Sequence, residues 1–128
     1  KVAEAFQKQV WLKSGSNIII EQTECLTTID VNSAKKIKKS STKDDMLEIN
    51  KEAAIEAARQ IRLRNLSGII IIDFINMKSK EHMEELVAVL KEQLKKDHVP
   101  CNFLDVTKLG LVELTRKKTY KSLKELVE

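Results

Sequence analysis

The sequence predicts an α/β fold, a mixed β-sheet with helices packed on it. Three observations predict it: short apolar segments near the N-terminus separated by turn residues, an unbroken isoleucine run in mid-chain, and a segment of helical periodicity on each side of that run. With 128 residues the chain has room for one modest core, so 1–128 reads as a single unit.

Val10–Lys13, Asn17–Gln22 and Leu26–Val31 read as three strands. The links Ser14-Gly15-Ser16 and Gln22-Thr23-Glu24 are short enough for antiparallel hairpins. Residues 33–48, with Lys35, Lys36, Lys38, Lys39 and Lys43 followed by Asp44-Asp45, read as a mobile basic and acidic loop. Asn50 is then expected to cap a helix reaching about Leu66, whose Ala54, Ala57, Ala58 and Ile61 repeat on one side. Gly68 precedes Ile69–Phe74, an apolar run without polar alternation that predicts a strand covered on both faces. Ser79 caps a second helix with the stripe Met83, Leu86, Val87, Leu90 and Leu94. Asn102–Asp105 and Leu111–Thr115 read as two more strands, and Leu123–Leu126 as a short final helix.

Composition narrows the chemistry. Apolar residues are 42% and charged residues 33%, the balance of a folded chain, and no apolar run approaches the roughly 20 residues that span a bilayer. No signal sequence opens the chain, and its first residue is Lys1, which suggests a piece of a longer polypeptide. The only glycines, Gly15, Gly68 and Gly110, lie too far apart to write a phosphate-cradling GxxxxGK loop or a GxGxxG turn. Two distant cysteines, Cys25 and Cys101, and two histidines cannot assemble a zinc finger. Cys25 is read as a buried, reduced thiol and His98 as a loop residue. Carboxylates must therefore do any metal work.

Alternation along a strand puts Asp30 and Asn32 on one face, about 7 Å apart, at the exit of the third strand. Asp73 occupies the equivalent exit of the isoleucine strand. If those strands are neighbours, the two aspartates face each other across a gap that suits Mg²⁺, which takes oxygen ligands from one or two carboxylates plus water and phosphate. The plainer alternative is that each aspartate caps a strand end or turn. The net charge of +4 resolves into basic clusters, Lys35 to Lys43, then Arg59, Arg62 and Arg64, then Arg116-Lys117-Lys118, which would draw a polyanion in a salt-dependent way. Their alternative is a solvated charged surface, with Arg59 or Arg62 tied to Asp44, Asp45, Glu48, Glu52 or Glu56. Aromatic residues are 4% of the chain, and Phe6, Trp11, Phe74, Phe103 and Tyr120 are expected mostly in the core, which argues against a base-stacking sheet.

Several ordered blocks carry a resemblance. They are Val10-Trp11-Leu12-Lys13-Ser14-Gly15, Ile20-Glu21-Gln22-Thr23-Glu24, Ile29-Asp30-Val31-Asn32-Ser33, Glu52-Ala53-Ala54, Ala58 to Leu66, Gly68 to Ile75 with Met77, and Leu109 to Lys117. Together they resemble the ribonuclease E/G family, in particular its catalytic subdomain described as DNase I-like. The resemblance implies a Mg²⁺-dependent endoribonuclease that cuts single-stranded RNA to 5′-phosphate and 3′-hydroxyl ends in RNA processing and decay, ribosomal RNA processing included. It implies Mg²⁺ held by Asp30 and Asp73, Asn32 as organiser of the site, and RNA contacts from Lys35, Arg59, Arg62, Arg64, Arg116 and Lys117. It further implies a cytoplasmic, homo-oligomeric full-length protein. The family's zinc-binding Cys-Pro-x-Cys link is absent here, as are its RNA-binding S1 and 5′-end-sensing parts, so the isolated unit, its grip on RNA incomplete, is expected to be weak or inactive. Asn76 stands where relatives carry a second aspartate in an Asp-Phe-Ile-Asp-Met run. The alternative function is a noncatalytic RNA-binding or assembly module on the same fold.

Overall fold

The computed structural model describes residues 7–33 and 43–118. Among the described residues, six strands and two helices follow one another as β1 (Gln9–Trp11), β2 (Asn17–Gln22), β3 (Leu26–Asn32), α1 (Lys43–Arg64), β4 (Gly68–Asp73), α2 (Lys80–Leu94), β5 (Cys101–Val106) and β6 (Val112–Arg116). They form one mixed sheet in the order β1-β2-β3-β4-β6-β5, as the α/β expectation requires. Every pairing is antiparallel except β3 with β4. A parallel neighbour cannot be reached by a hairpin, and α1 is the crossover that reaches it.

Alternation decides which side of the sheet is covered. Val10, Ile18, Ile20, Ile29, Val31, Ile70, Ile72, Val112 and Leu114 are buried in one cluster with Ala53, Ala54, Ala57, Ala58 and Ile61 of α1 and Leu86, Leu90 and Leu94 of α2. Small alanines let α1 sit close to the strands. The isoleucine strand departs from the expectation of two covered faces. Ile70 and Ile72 are fully buried, whereas Ile69 on the other face is 48% exposed, because among the described residues both helices pack on the same side.

Three further expectations are corrected. Helix α1 begins at Lys43, so 43–48 belong to a helix and not to a loop, while 34–42 lie outside the described residues. Asn50 does not cap that helix. It lies inside it, fully buried, and its amide bonds the backbone of Ile75 instead. Cys25 is exposed at the β2–β3 corner. The Ser79 cap is present, its hydroxyl accepting from the backbone N–H of His82 at 3.2 Å. His98 is exposed, and the expected helix at Leu123–Leu126 lies outside the described residues.

A buried guanidinium locks the far end of the sheet. Helix α1 ends with Asn65 in the left-handed region (φ 53°), and the N–H groups of Asn65 and Leu66 bond back to Arg62 and Ile61 in a Schellman turn. Arg116 of β6 reaches this turn. Its Nη1 donates to Asn65 Oδ1 at 2.7 Å and to the Leu66 carbonyl at 2.9 Å, while Nε and Nη2 grip both oxygens of Asp97 at 2.7 and 3.2 Å. One side chain of β6 thus ties the α1–β4 turn to the α2–β5 connection. Burial pushes the Asp97 carboxyl up, but the Arg116 guanidinium and the Val99 N–H outweigh it and hold the group below its ordinary value.

Replacing Arg116 or Asp97 by alanine strands a buried charge and should lower stability by about 3–5 kcal/mol in urea unfolding. The carboxyl is depressed in the folded state, so its contribution is complete above the unfolded carboxylate range and disappears as pH falls through the folded value. Asp97→Asn should therefore flatten the acid limb of the stability profile; an unchanged limb would contradict the assignment.

Candidate active site

The parallel register pairs Leu26 with Ile69, Thr28 with Ile71 and Asp30 with Asp73. Paired residues in neighbouring strands point to the same face about 4.8 Å apart, so the two carboxylates stand side by side at the C-terminal ends of β3 and β4. Both lie on the open face of the sheet and are exposed. Partial burial raises the Asp30 carboxyl above its ordinary value, and the neighbouring charges of Asp73 and Glu21 raise it further, against a lowering hydrogen bond from the Val31 N–H. Like charges at this spacing repel, and a divalent cation between them would relieve that repulsion.

Asn32 follows on the same face. Its Nδ2 donates to Oδ1 of Asn17, its register partner on β2, at 3.3 Å, which leaves the Asn32 carbonyl oxygen as the uncommitted pole of the amide. Two carboxylates with an amide oxygen beside them form an all-oxygen donor set, the kind Mg²⁺ accepts while retaining water and substrate ligands. No group of three or more His, Cys, Asp or Glu among the described residues is arranged to hold a metal ion, so a site here rests on this pair.

Beyond Asp73 the chain leaves the ladder, and Asn50 takes over. Its Nδ2 donates to the Ile75 carbonyl and its Oδ1 accepts from the Ile75 N–H, both at 2.9 Å. A side chain of α1 thereby supplies the paired bonds that a strand would supply, two residues after Asp73. Asn76 comes next and is exposed.

Among the described residues, Arg62, Arg64, Arg116 and Lys117 lie away from the acidic pair. Helix α1 crosses from the end of β3 back to the start of β4, so its C-terminal Arg62 and Arg64 arrive at the opposite end of the sheet. Arg116 pairs in register with Gly68, five residues or roughly 16 Å along β4 from Asp73. Arg116 and Arg64 are also buried. Arg64 bonds Gln60 Oε1 at 2.9 Å and the Gln7 carbonyl, so both guanidinium groups, expected to contact RNA, serve the fold. Arg62 donates to the Gln93 carbonyl at 3.3 Å, and the exposed Arg59 pairs with Glu56 at 2.8 Å, one of the acidic partners anticipated for it. Lys117 is exposed at that same far end, and Lys35 lies outside the described residues.

Asn17, Glu21 and Asn50 escaped sequence reading. The first two had a usable signal. Counting outward from Gln22 and Thr27 across the corner pairs Glu21 with Thr28 and Asn17 with Asn32, as observed. Asn50 had none, because its partner is a backbone 25 residues away.

Removing the Asn50 amide leaves the N–H and C=O of Ile75 without partners, so Asn50→Ala should cost about 2–3 kcal/mol in chemical denaturation. Carbon-detected NMR titration of the metal-free protein should show Asp73→Asn bringing the Asp30 carboxyl down toward its ordinary value, since a repelling charge is gone. An unmoved titration would mean that the two groups do not face each other.

The model of the ribonuclease E/G family matches residues 1–119. Ribonuclease G of Escherichia coli (strain K12) is 41% identical over 127 residues, covering 99% of this chain and 26% of that protein. Ribonuclease G of Haemophilus influenzae is 43% identical over 126 residues, covering 98% and 26%. Ribonuclease E of Synechocystis sp. is 45% identical over 125 residues, covering 98% of this chain and 18% of the relative. The chain thus spans about a quarter or less of the length of these curated relatives. Since the match spans residues 1–119, and with them β3, α1 and β4, the elements that bring Asp30 beside Asp73, the chain belongs to the ribonuclease E/G family.

Proposed function

We propose that this chain is the DNase I-like catalytic subdomain of a Mg²⁺-dependent endoribonuclease acting on single-stranded RNA in RNA processing and decay. The observation that carries the reading is the in-register pairing of Asp30 with Asp73 at the ends of two parallel strands. Membership of a family whose relatives are named Ribonuclease G and Ribonuclease E supports it.

In this reading Asp30 and Asp73 hold Mg²⁺ through their carboxylates, with the Asn32 carbonyl oxygen turned to the same side. When bound, Mg²⁺ supplies Lewis-acid activation of water and screens charge building on the phosphate. The chain's own part is positional. Strand pairing sets the carboxylate spacing, Asn17 orients the Asn32 amide, and Asn50 fixes the backbone leaving Asp73. The reaction adds one water across a phosphodiester bond: the 3′ oxygen leaves with a proton as a 3′-hydroxyl, and the phosphate stays on the 5′ side of the next nucleotide.

In the protein that carries this chain, Asp30→Asn and Asp73→Asn should each lower cleavage by at least about a hundred-fold at ordinary Mg²⁺ while RNA binding changes little. Mg²⁺-induced NMR shifts at both carboxyl carbons of the native protein should vanish in each variant. Near-normal cleavage by either variant would sink the metal assignment. RNA binding that weakens with salt, without any Mg²⁺ response at Asp30 or Asp73, would identify a noncatalytic module instead.

A further inference from the structure

Trp11 is expected in the core, yet it is 65% exposed. Its place on the sheet is specific. Trp11 pairs in register with Asn17, and Asn17 with Asn32, so these three residues form one row across β1, β2 and β3 on the open face. The next row on that face is Gln9, Ile19, Asp30 and Asp73. Ile19, half-buried, therefore lies diagonal to Trp11 and directly beside Asp30, within reach of a large aromatic ring. Two strand spacings and two residues along the strand separate the Cα atoms of Trp11 and Asp30 by about 12 Å, a distance that the indole shortens.

A nucleotide has an anionic phosphate and a flat apolar base, and this face offers a counterpart to each: a carboxylate pair fit for a divalent cation, and an indole with an isoleucine beside it. An indole left in water next to such a pair has no role in the core, whereas stacking on a base would cover it. We propose that Trp11, backed by Ile19, is the stacking platform for one nucleobase of the single strand whose phosphate lies at Asp30 and Asp73. The inference rests on the proposed ribonuclease reading and adds a base subsite to it. Stacking tolerates any base, so the platform would position the strand without selecting a sequence.

Trp11 is the sole tryptophan of the 128 residues, so its emission reports the subsite directly. The chain is titrated in Mg²⁺ at low salt with a fluorescein-labelled decaribonucleotide, and with the same backbone made abasic, while anisotropy and tryptophan emission are followed together. The expected result is quenching of Trp11 that tracks the anisotropy of the base-bearing strand and is missing with the abasic one. Trp11→Ala should bind the base-bearing strand about ten-fold more weakly, and Trp11→Phe should recover most of the loss. Unchanged urea midpoints, expected for so exposed a side chain, would separate this from misfolding.

Rising anisotropy with constant emission, and native affinity in Trp11→Ala, would overturn the subsite while leaving the ribonuclease reading intact. Emission that changes with protein concentration in the absence of RNA would make Trp11 a contact between copies of this chain and overturn the subsite as well. Absence of RNA binding by the protein that carries this chain would overturn the RNA reading and this inference together, a failure distinct from the first.

Discussion

The parallel pairing of β3 with β4 is the constraint from which the rest of the structure follows. Among the described residues it is the only parallel pair in the sheet, and it obliges the chain to travel the length of the sheet between the two strands. Helix α1 makes that journey, and its alanine face sets how closely helix and sheet approach. Antiparallel strands then extend the pair on both sides, β2 and β1 one way and β6 and β5 the other. Two consequences concern chemistry. The ends of β3 and β4 coincide, so Asp30 and Asp73 meet. The basic C-terminal turn of α1 is delivered to the other end, so its arginines stay away from them.

Polar side chains complete the fold where secondary structure runs out. A helix end and a strand exit both leave backbone groups that the ladder cannot satisfy. At one end Arg116 satisfies the Schellman turn of α1 while neutralising Asp97. At the other, Asn50 satisfies Ile75 just past Asp73. Each is nearly or fully buried and hydrogen-bonded on more than one side, the condition under which burying a polar group stabilises. Both resemble functional residues when read from sequence, one as a cation for a polyanion and one as a helix cap. Their real partners lie 19 to 51 residues away.

The two faces of the sheet divide the work. The helix-covered face supplies the apolar burial. The open face carries Asp30, Asp73, Asn32 and Asn17 together with Ile19, Ile69 and the exposed Trp11, a mixture that a core could not accept. The repulsion between the aspartates is tolerated because water reaches both of them.

Much of this was legible in the sequence because it depends on period and spacing. Short apolar segments between turn residues and an unbroken isoleucine run marked the strands, the Ala54, Ala57, Ala58 and Ile61 spacing marked the packed side of α1, and the two strand-end aspartates stood out as candidate site residues. What sequence could not decide was which strands are neighbours, which face of the isoleucine strand stays open, and which arginines are buried. Those outcomes depend on contacts between residues far apart in the chain. Among the described residues both helices pack on one side and leave Ile69 half-exposed on the other, and the crossover direction of α1 sends Arg62 and Arg64 away from Asp73. Sequence by itself determined that Asp30 and Asn32 share a face, because side chains alternate along any strand. Only the tertiary structure decided that Asp73 stands beside Asp30 and Trp11 lies one row away, because register is fixed by pairing between strands and is not a property of either strand alone.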